Sequence, residues 1–88
     1  METKNNPGKR SCYANALPDE PMFILLARDP DFSRLVLEWS ARRSRDIACG
    51  NRPESDKELV NEANYTAQAG ARWRRNHMGE WRKPPETP

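Results

Sequence analysis

The chain has 88 residues, of which 35% are hydrophobic and 32% are charged, and its formal net charge is +2. This length allows one small domain with a minimal core. The mixed charge is not that of a polycationic nucleic-acid module, and no apolar run approaches the roughly 18 residues of a membrane span. Two cysteines, Cys12 and Cys49, are too few for a disulfide-stabilised secreted domain, and no apolar secretory signal opens the chain. We therefore expect a cytoplasmic protein that does not enter a membrane.

Both ends of the chain differ in composition from its middle. Residues 1–18 are polar and include asparagine, proline and glycine, which predicts a flexible N-terminal arm. Residues 83–88 contain three prolines, which predicts a flexible Pro-rich tail. Nearly all the bulky apolar residues lie between these ends, so we expect residues 19–82 to form a single helical domain.

The densest apolar run is Met22–Ala27. Acidic residues and Pro21 precede it, and both are favoured at the start of a helix. We predict a short helix here and keep a strand as the alternative, because periodicity cannot distinguish the two in so short a run.

A long helix is predicted from about residue 30 to residue 49. Asp29 can cap its N-terminus, Pro30 suits its first position, and Gly50 is a natural stop. One face of this helix follows helical spacing and should be buried, with Trp39 in the core. The residues of this face are Phe32, Leu35, Val36, Trp39, Arg43 and Ile47. Because Arg43 lies on the centre of the face, it should either extend past the core edge or form a buried charge pair.

A second long helix follows, because Ser55 and Glu58 have the spacing of a capping box and Gly79 can end the helix. Its predicted buried face comprises Leu59, Ala63, Thr66, Gly70, Trp73 and His77. The connection at residues 50–53 is short, so the two helices should be antiparallel. We therefore predict a small all-α domain, in which an antiparallel pair of long helices is capped by a short N-terminal helical segment and flanked by flexible termini.

The sequence offers no catalytic constellation. It contains one histidine, His77, and no glycine-rich phosphate loop, while the spacing of Cys12, Cys49 and His77 fits no metal-binding pattern. Acidic pairs such as Asp29 and Asp31 are explained by capping of a helix N-terminus. We therefore expect no enzymatic activity, no cofactor and no metal.

The basic residues form two groups on the two predicted helices. The first group is Arg42, Arg43 and Arg45, and the second is Arg72, Arg74 and Arg75, followed by Arg82 and Lys83. Antiparallel packing would place the groups at opposite ends of the hairpin, which argues against one continuous phosphate-binding stripe. Direct nucleic-acid binding is therefore disfavoured, although a small DNA-binding module that uses these arginines is the alternative.

Some large apolar residues fall where they can reach another protein. Leu37 and Tyr65 lie off the predicted core faces, and Trp73 lies at the edge of one. Exposed aromatic side chains anchor many protein interfaces because they bury a large area at low entropic cost. We predict that Phe23, Leu26, Leu37, Tyr65 and Trp73 contact a protein partner. The alternative is that the N-terminal segment covers Leu37 and that Tyr65 is an isolated exposed ring.

A short motif carries a resemblance to a known group of proteins. Residues 17–29 join Asp-Glu-Pro-x-Phe to Ala-Arg-Asp, and a tryptophan-containing helix and an alanine-rich second helix follow. The further residues that fit are Trp39, Ala63, Ala67, Ala69 and Trp73. Over residues 17–82 the chain resembles small proteobacterial mobile-element proteins, and among them the QseM-like antiactivators of rhizobial symbiosis islands.

This resemblance implies a specific function. Proteins of the QseM-like type bind and silence TraR, a LuxR-family quorum-sensing activator, and FseA, an activator of excision of an integrative and conjugative element. The expected outcome is repression of quorum sensing and of conjugative transfer through protein–protein interaction. Some relatives occur in phages, so an inhibitor of a bacterial defence complex is a further alternative.

Overall fold

The computed structural model describes residues 2–8 and 12–81. Its helices are α1 (Cys12–Asn15), α2 (Phe32–Ala48), α3 (Lys57–Asn76) and α4 (Met78–Trp81), and a 3-10 turn at Glu54–Asp56 precedes α3. Helices α2 and α3 pack against each other, and the described residues contain no strand. The predicted all-α fold with two long helices is thus confirmed, while the predicted tail at residues 83–88 lies outside the described part. No helix in that part is long and apolar enough to cross a membrane.

Local signals set both ends of α2. In the turn before the helix, the Asp29 Oδ1 atom accepts a hydrogen bond of 2.8 Å from the Asp31 N–H. The helix begins at Phe32 with Asp31 as its N-cap residue, so the predicted cap at Asp29 and first position at Pro30 are wrong. At the other end Gly50 adopts a φ of 82°. The Asn51 N–H donates to the Asp46 carbonyl over 2.8 Å, and the Gly50 N–H donates to the Ile47 carbonyl over 3.1 Å. These bonds form a Schellman cap, which confirms the predicted stop at Gly50.

The ends of α3 differ from the prediction. The expected cap residue Ser55 lies inside the 3-10 turn, and α3 starts at Lys57. The helix ends at Asn76, because His77 leaves the helical conformation with φ −122° and ψ 25°. The predicted end at Gly79 is therefore wrong, and Gly79 lies within α4.

The two long helices are antiparallel, as predicted. Near the start of α2 the Ser33 hydroxyl donates a hydrogen bond of 2.7 Å to the carbonyl of Ala67, in the middle of α3, and the Phe32 ring lies against Gly70, one turn further on. Further along α2, the Arg43 Nη1 atom lies 3.0 Å from the Asp56 carboxylate, just before α3. The start of each helix therefore lies beside the end of the other.

Small residues line the contact between α2 and α3, which we call the seam. Ser40 of α2 and Ala67 and Gly70 of α3 are buried there, together with Ile47 and Val60. The Ser40 hydroxyl hydrogen-bonds to Asn64 Oδ1 across the seam. A Cβ atom at position 70 would lie 2.6 Å from the Phe32 ring, so this close approach requires glycine.

Phe32, Leu35, Val36 and Trp39 of α2 lie to one side of the seam. Trp39 is 41% exposed and Leu35 is 40% exposed, so the prediction that Trp39 belongs to the core is wrong. The reason is geometric, because Trp39 lies about 100° around the helix from its neighbour Ser40. When Ser40 faces α3, Trp39 must face sideways.

The apolar run Met22–Ala27 is not helical, and the predicted short helix there is wrong. The chain passes through irregular structure into a turn, in which the Asp29 N–H donates to the Leu26 carbonyl over 2.9 Å. Phe23 is 87% exposed, whereas Leu25 and Ala27 are partly covered. So short a helix is unstable unless one face is buried, and here Met22, Phe23, Ile24 and Leu26 all remain exposed.

Arg43 forms the charge pair that was one of its two predicted states. The side chains of Arg43 and Asp56 are only 19% and 17% exposed. The guanidinium group also lies 4.9 Å from the centre of the Trp39 ring, within the range of a cation–π interaction. This pair links the middle of α2 to the turn before α3.

We expect Asp56→Ala to lower the free energy of unfolding by about 1–2 kcal/mol, because it leaves the part-buried Arg43 without its carboxylate. Lys57→Ala is the matched control, since Lys57 pairs with Glu54 in an exposed position. That change should cost no more than about 0.5 kcal/mol. Urea unfolding followed by circular dichroism measures both, and equal losses would contradict the structural role of the pair.

Two glycines test the close packing at the seam. In a helix, alanine is more favourable than glycine by about 1 kcal/mol, but overpacking costs about 1–3 kcal/mol. Gly70→Ala forces a contact with Phe32, whereas a Cβ at Gly79 meets nothing within 4 Å. We expect Gly70→Ala to be less stable than Gly79→Ala by roughly 1–3 kcal/mol in thermal unfolding. A Gly70→Ala variant as stable as Gly79→Ala would show that the seam is loosely packed.

Candidate partner-binding groove

One side of the hairpin formed by α2 and α3 carries an apolar groove. Its walls are Phe32, Val36 and Trp39 from α2 and Leu59, Ala63, Thr66, Ala69 and Trp73 from α3. Two adjoining cavities of about 460 and 340 Å³ lie along it. They share Leu25, Phe32 and Thr66, so the groove continues from one cavity to the other.

Helical spacing explains why these residues share one side. Phe32, Val36 and Trp39 are four and three residues apart, and Leu59, Thr66 and Trp73 are seven apart, so each set forms a line along its helix. Because other residues of each helix face each other at the seam, both lines point away from the direct contact between the helices. Because the helices are antiparallel, the two lines lie on the same side of the hairpin and form the groove.

Two stretches of chain partly cover the groove. Leu25 lines both cavities, and the segment that contains it is held where the Arg74 Nε atom donates to the Arg28 carbonyl over 3.1 Å. Residues 2–8 form the second stretch, which is polar. In it the Gly8 N–H donates to the Glu2 carboxylate over 3.2 Å, and Glu2 lines both cavities. This cover leaves part of the apolar wall accessible, including the exposed part of Trp39.

The structure separates the five residues predicted to contact a partner. Leu26 and Trp73 line the groove, and Phe23 is highly exposed but does not line it. Leu37 lies about 160° around α2 from Trp39, and Tyr65 lies about 120° around α3 from Leu59. Neither Leu37 nor Tyr65 lines either cavity, although both are exposed. The five residues therefore do not form one surface.

Residues assigned to the core from their spacing form part of the accessible surface instead. Trp39 lines the groove, and Leu35 lies one helical turn before it on the same side of α2. A signal was present in the sequence, because Ser33, Ser40 and Ile47 recur every seven residues and mark the line that meets α3. Because serine occupies two of these positions, the line does not appear in the apolar periodicity of α2.

The polar groups near the groove have structural partners. The His77 ring stacks on Trp73 with 4.6 Å between ring centres, and its Nδ1 atom lies 2.9 Å from the Trp73 carbonyl at the end of α3. At the start of α2, Arg34 pairs with Asp31 at 3.3 Å and with Glu38 at 3.0 Å. The hydrogen bond to Asp31 and the charges of both acids raise the pKa of Arg34. Among the described residues, no three His, Cys, Asp or Glu side chains are grouped to hold a metal ion.

Arginines from both basic groups have interactions within the molecule. Arg43 pairs with Asp56, and Arg74 donates to the Arg28 carbonyl. The antiparallel packing places the two groups at opposite ends of the hairpin, while the side chains of Arg82 and Lys83 lie outside the described residues. The arrangement does not favour the continuous basic stripe that phosphate binding needs.

Comparison with known proteins adds no relative. No protein-family model, characterised protein or solved structure matches the chain. The QseM-like resemblance therefore rests on the sequence motif, and the candidate groove rests on the geometry of the hairpin.

Proposed function

We propose that this chain is a non-enzymatic regulatory protein that binds and inhibits transcriptional activators. Its motif suggests the partners of QseM-like antiactivators, namely the LuxR-family activator TraR and the excision activator FseA. Inhibition of both would repress quorum sensing and conjugative transfer of an integrative and conjugative element. This activity belongs in the cytoplasm, where such activators bind DNA.

The observation that supports this proposal is the partly covered apolar groove. Apolar side chains left accessible in a groove favour contact with another molecule, because leaving them in water is unfavourable. Two aromatic side chains, Trp39 and Trp73, line its walls, and tryptophan is enriched among the residues that dominate binding energy. An antiactivator needs such a surface and no catalytic group.

Substitution of two leucines of α2 can show whether a partner binds at the groove or at the surface that was predicted from the sequence. Leu35 and Leu37 are similarly exposed, at 40% and 45%. Neither lines a cavity, but Leu35 lies one turn before Trp39 on the groove side of α2, whereas Leu37 lies across the helix. We expect Leu35→Glu to weaken capture of purified TraR or FseA by roughly tenfold or more, because it places a charge in an apolar interface. Leu37→Glu should bind as the unchanged protein does. Affinities from isothermal titration calorimetry, with folding checked by circular dichroism, decide the comparison.

Other outcomes would contradict parts of the proposal. Loss of binding in Leu37→Glu and Tyr65→Ala, with Leu35→Glu unaffected, would move the interface to the opposite side of the hairpin. If the unchanged protein captures neither activator, the proposed targets are wrong. Retention of nucleic acid alone, abolished by nuclease, would favour the DNA-binding alternative.

A further inference from the structure

The first residues of the chain lie over the groove, and we call residues 2–8 the strap. Four of its members line the first cavity together with the apolar side chains of the hairpin, namely Glu2, Thr3, Lys4 and Asn5. Glu2 and Gly8 also line the second cavity. The strap therefore lies along both cavities, in the position that a partner bound in the groove would occupy.

Hydrogen bonds close the strap on itself. Thr3 and Asn6 exchange backbone hydrogen bonds of 3.1 and 3.2 Å, and the Thr3 hydroxyl accepts a further bond of 3.0 Å from the Asn6 N–H. The Gly8 N–H donates to the Glu2 carboxylate over 3.2 Å and so joins the two ends of the strap. Because these bonds hold the backbone in one shape, they lower the entropic cost of lying at the groove.

The contact between the strap and the hairpin is weak. Residues 2–7 are exposed, so they bury little of their own surface against the groove. They are also polar, and a polar segment gains little free energy by covering apolar side chains. The strap nevertheless stays near the groove at a high effective concentration, because it belongs to the same chain. An apolar surface of another protein gains more from the same walls and can displace it.

From these contacts we infer that residues 2–8 form an autoinhibitory strap, which covers the groove in the free protein and must leave before a partner binds. The inference rests on the proposed function, because it concerns the regulation of the same groove. Competition of this kind lowers the apparent affinity for a partner in proportion to the fraction of molecules in which the groove is open. Opening the strap should therefore tighten partner binding, and holding it in place should weaken partner binding.

Gly8 offers a matched pair of substitutions that breaks or preserves the turn. Gly8→Pro removes the N–H that donates to Glu2, whereas Gly8→Ala retains it. The added Cβ of the alanine would lie 3.8 Å from the nearest Glu2 atom, which is an ordinary van der Waals contact. We expect Gly8→Pro to raise the affinity for TraR or FseA roughly two- to tenfold, as the loss of one hydrogen bond allows. In isothermal titration calorimetry, Gly8→Ala should bind as the unchanged protein does.

Two neighbouring asparagines test the contact with the groove in the opposite direction. Asn5 lines the first cavity, whereas Asn6 lines neither of the two. Asn5→Leu places an apolar side chain against the groove wall, so it should hold the strap in place and lower the affinity for either activator by roughly two- to tenfold. Asn6→Leu adds the same side chain away from the cavities, and its affinity should remain close to that of the unchanged protein.

An apolar dye measures the accessibility of the groove without any partner. Nile red is suitable, because it is uncharged and fluoresces more strongly in apolar surroundings. We expect Gly8→Pro to bind more dye than Gly8→Ala, and Asn5→Leu to bind less dye than Asn6→Leu. Circular dichroism checks that the helices of all four variants are unchanged.

The two measurements distinguish failure of the strap from failure of the proposed targets. If dye binding changes as expected while neither activator binds, the strap stands and the proposed targets are wrong. If an activator binds equally well to all four variants, the proposed function stands and this inference fails. Weaker binding of an activator to Gly8→Pro than to Gly8→Ala would also overturn the inference, because the strap would then contribute to the interface.

Discussion

The seam between α2 and α3 determines the rest of the structure. Ser40 and Ala67 are buried where the helices meet, and the hydrogen bond between Ser40 and Asn64 satisfies the polar groups that this contact encloses. Small residues allow a close approach, which Gly70 makes possible beside Phe32. Once these residues face each other, helical geometry fixes the direction of every other side chain on both helices.

The cost of this arrangement is a small core. Among the described residues, Ile47, Val60 and Ala67 are the buried hydrophobic ones, and no bulky side chain is completely buried. Apolar side chains that would normally be buried in a domain of this size remain partly exposed along the groove. Their burial does not contribute to the free energy of folding, but it can contribute to the free energy of binding. A partner that fills the groove should therefore also stabilise the hairpin.

The elements with strong local signals were predictable, and those that depend on tertiary contacts were not. Helical spacing and the stop at Gly50 were sufficient to predict α2, α3 and their antiparallel connection, because each of these signals depends only on residues close in sequence. Met22–Ala27 was expected to be helical from its composition, but too little of it meets the hairpin to stabilise a helix. Similarly, α3 ends at Asn76 and does not continue to Gly79. The backbone leaves the helical conformation at His77, whose ring stacks on Trp73, and local sequence signals do not specify this contact.

The candidate site depends on how far each helix is rotated about its axis, and periodicity does not specify that angle. The bulky apolar line of α2 was assigned to the core, so residues off that line, such as Leu37, were left as the expected contacts. Packing through serine and alanine instead turns the bulky line toward the groove. Trp39 consequently has two structural roles, because it lies against Arg43, which pairs with Asp56, and it also lines the groove. Contact with a partner at Trp39 would therefore act directly on the ion pair that joins α2 to the turn before α3, which couples binding at the groove to the stability of the hairpin.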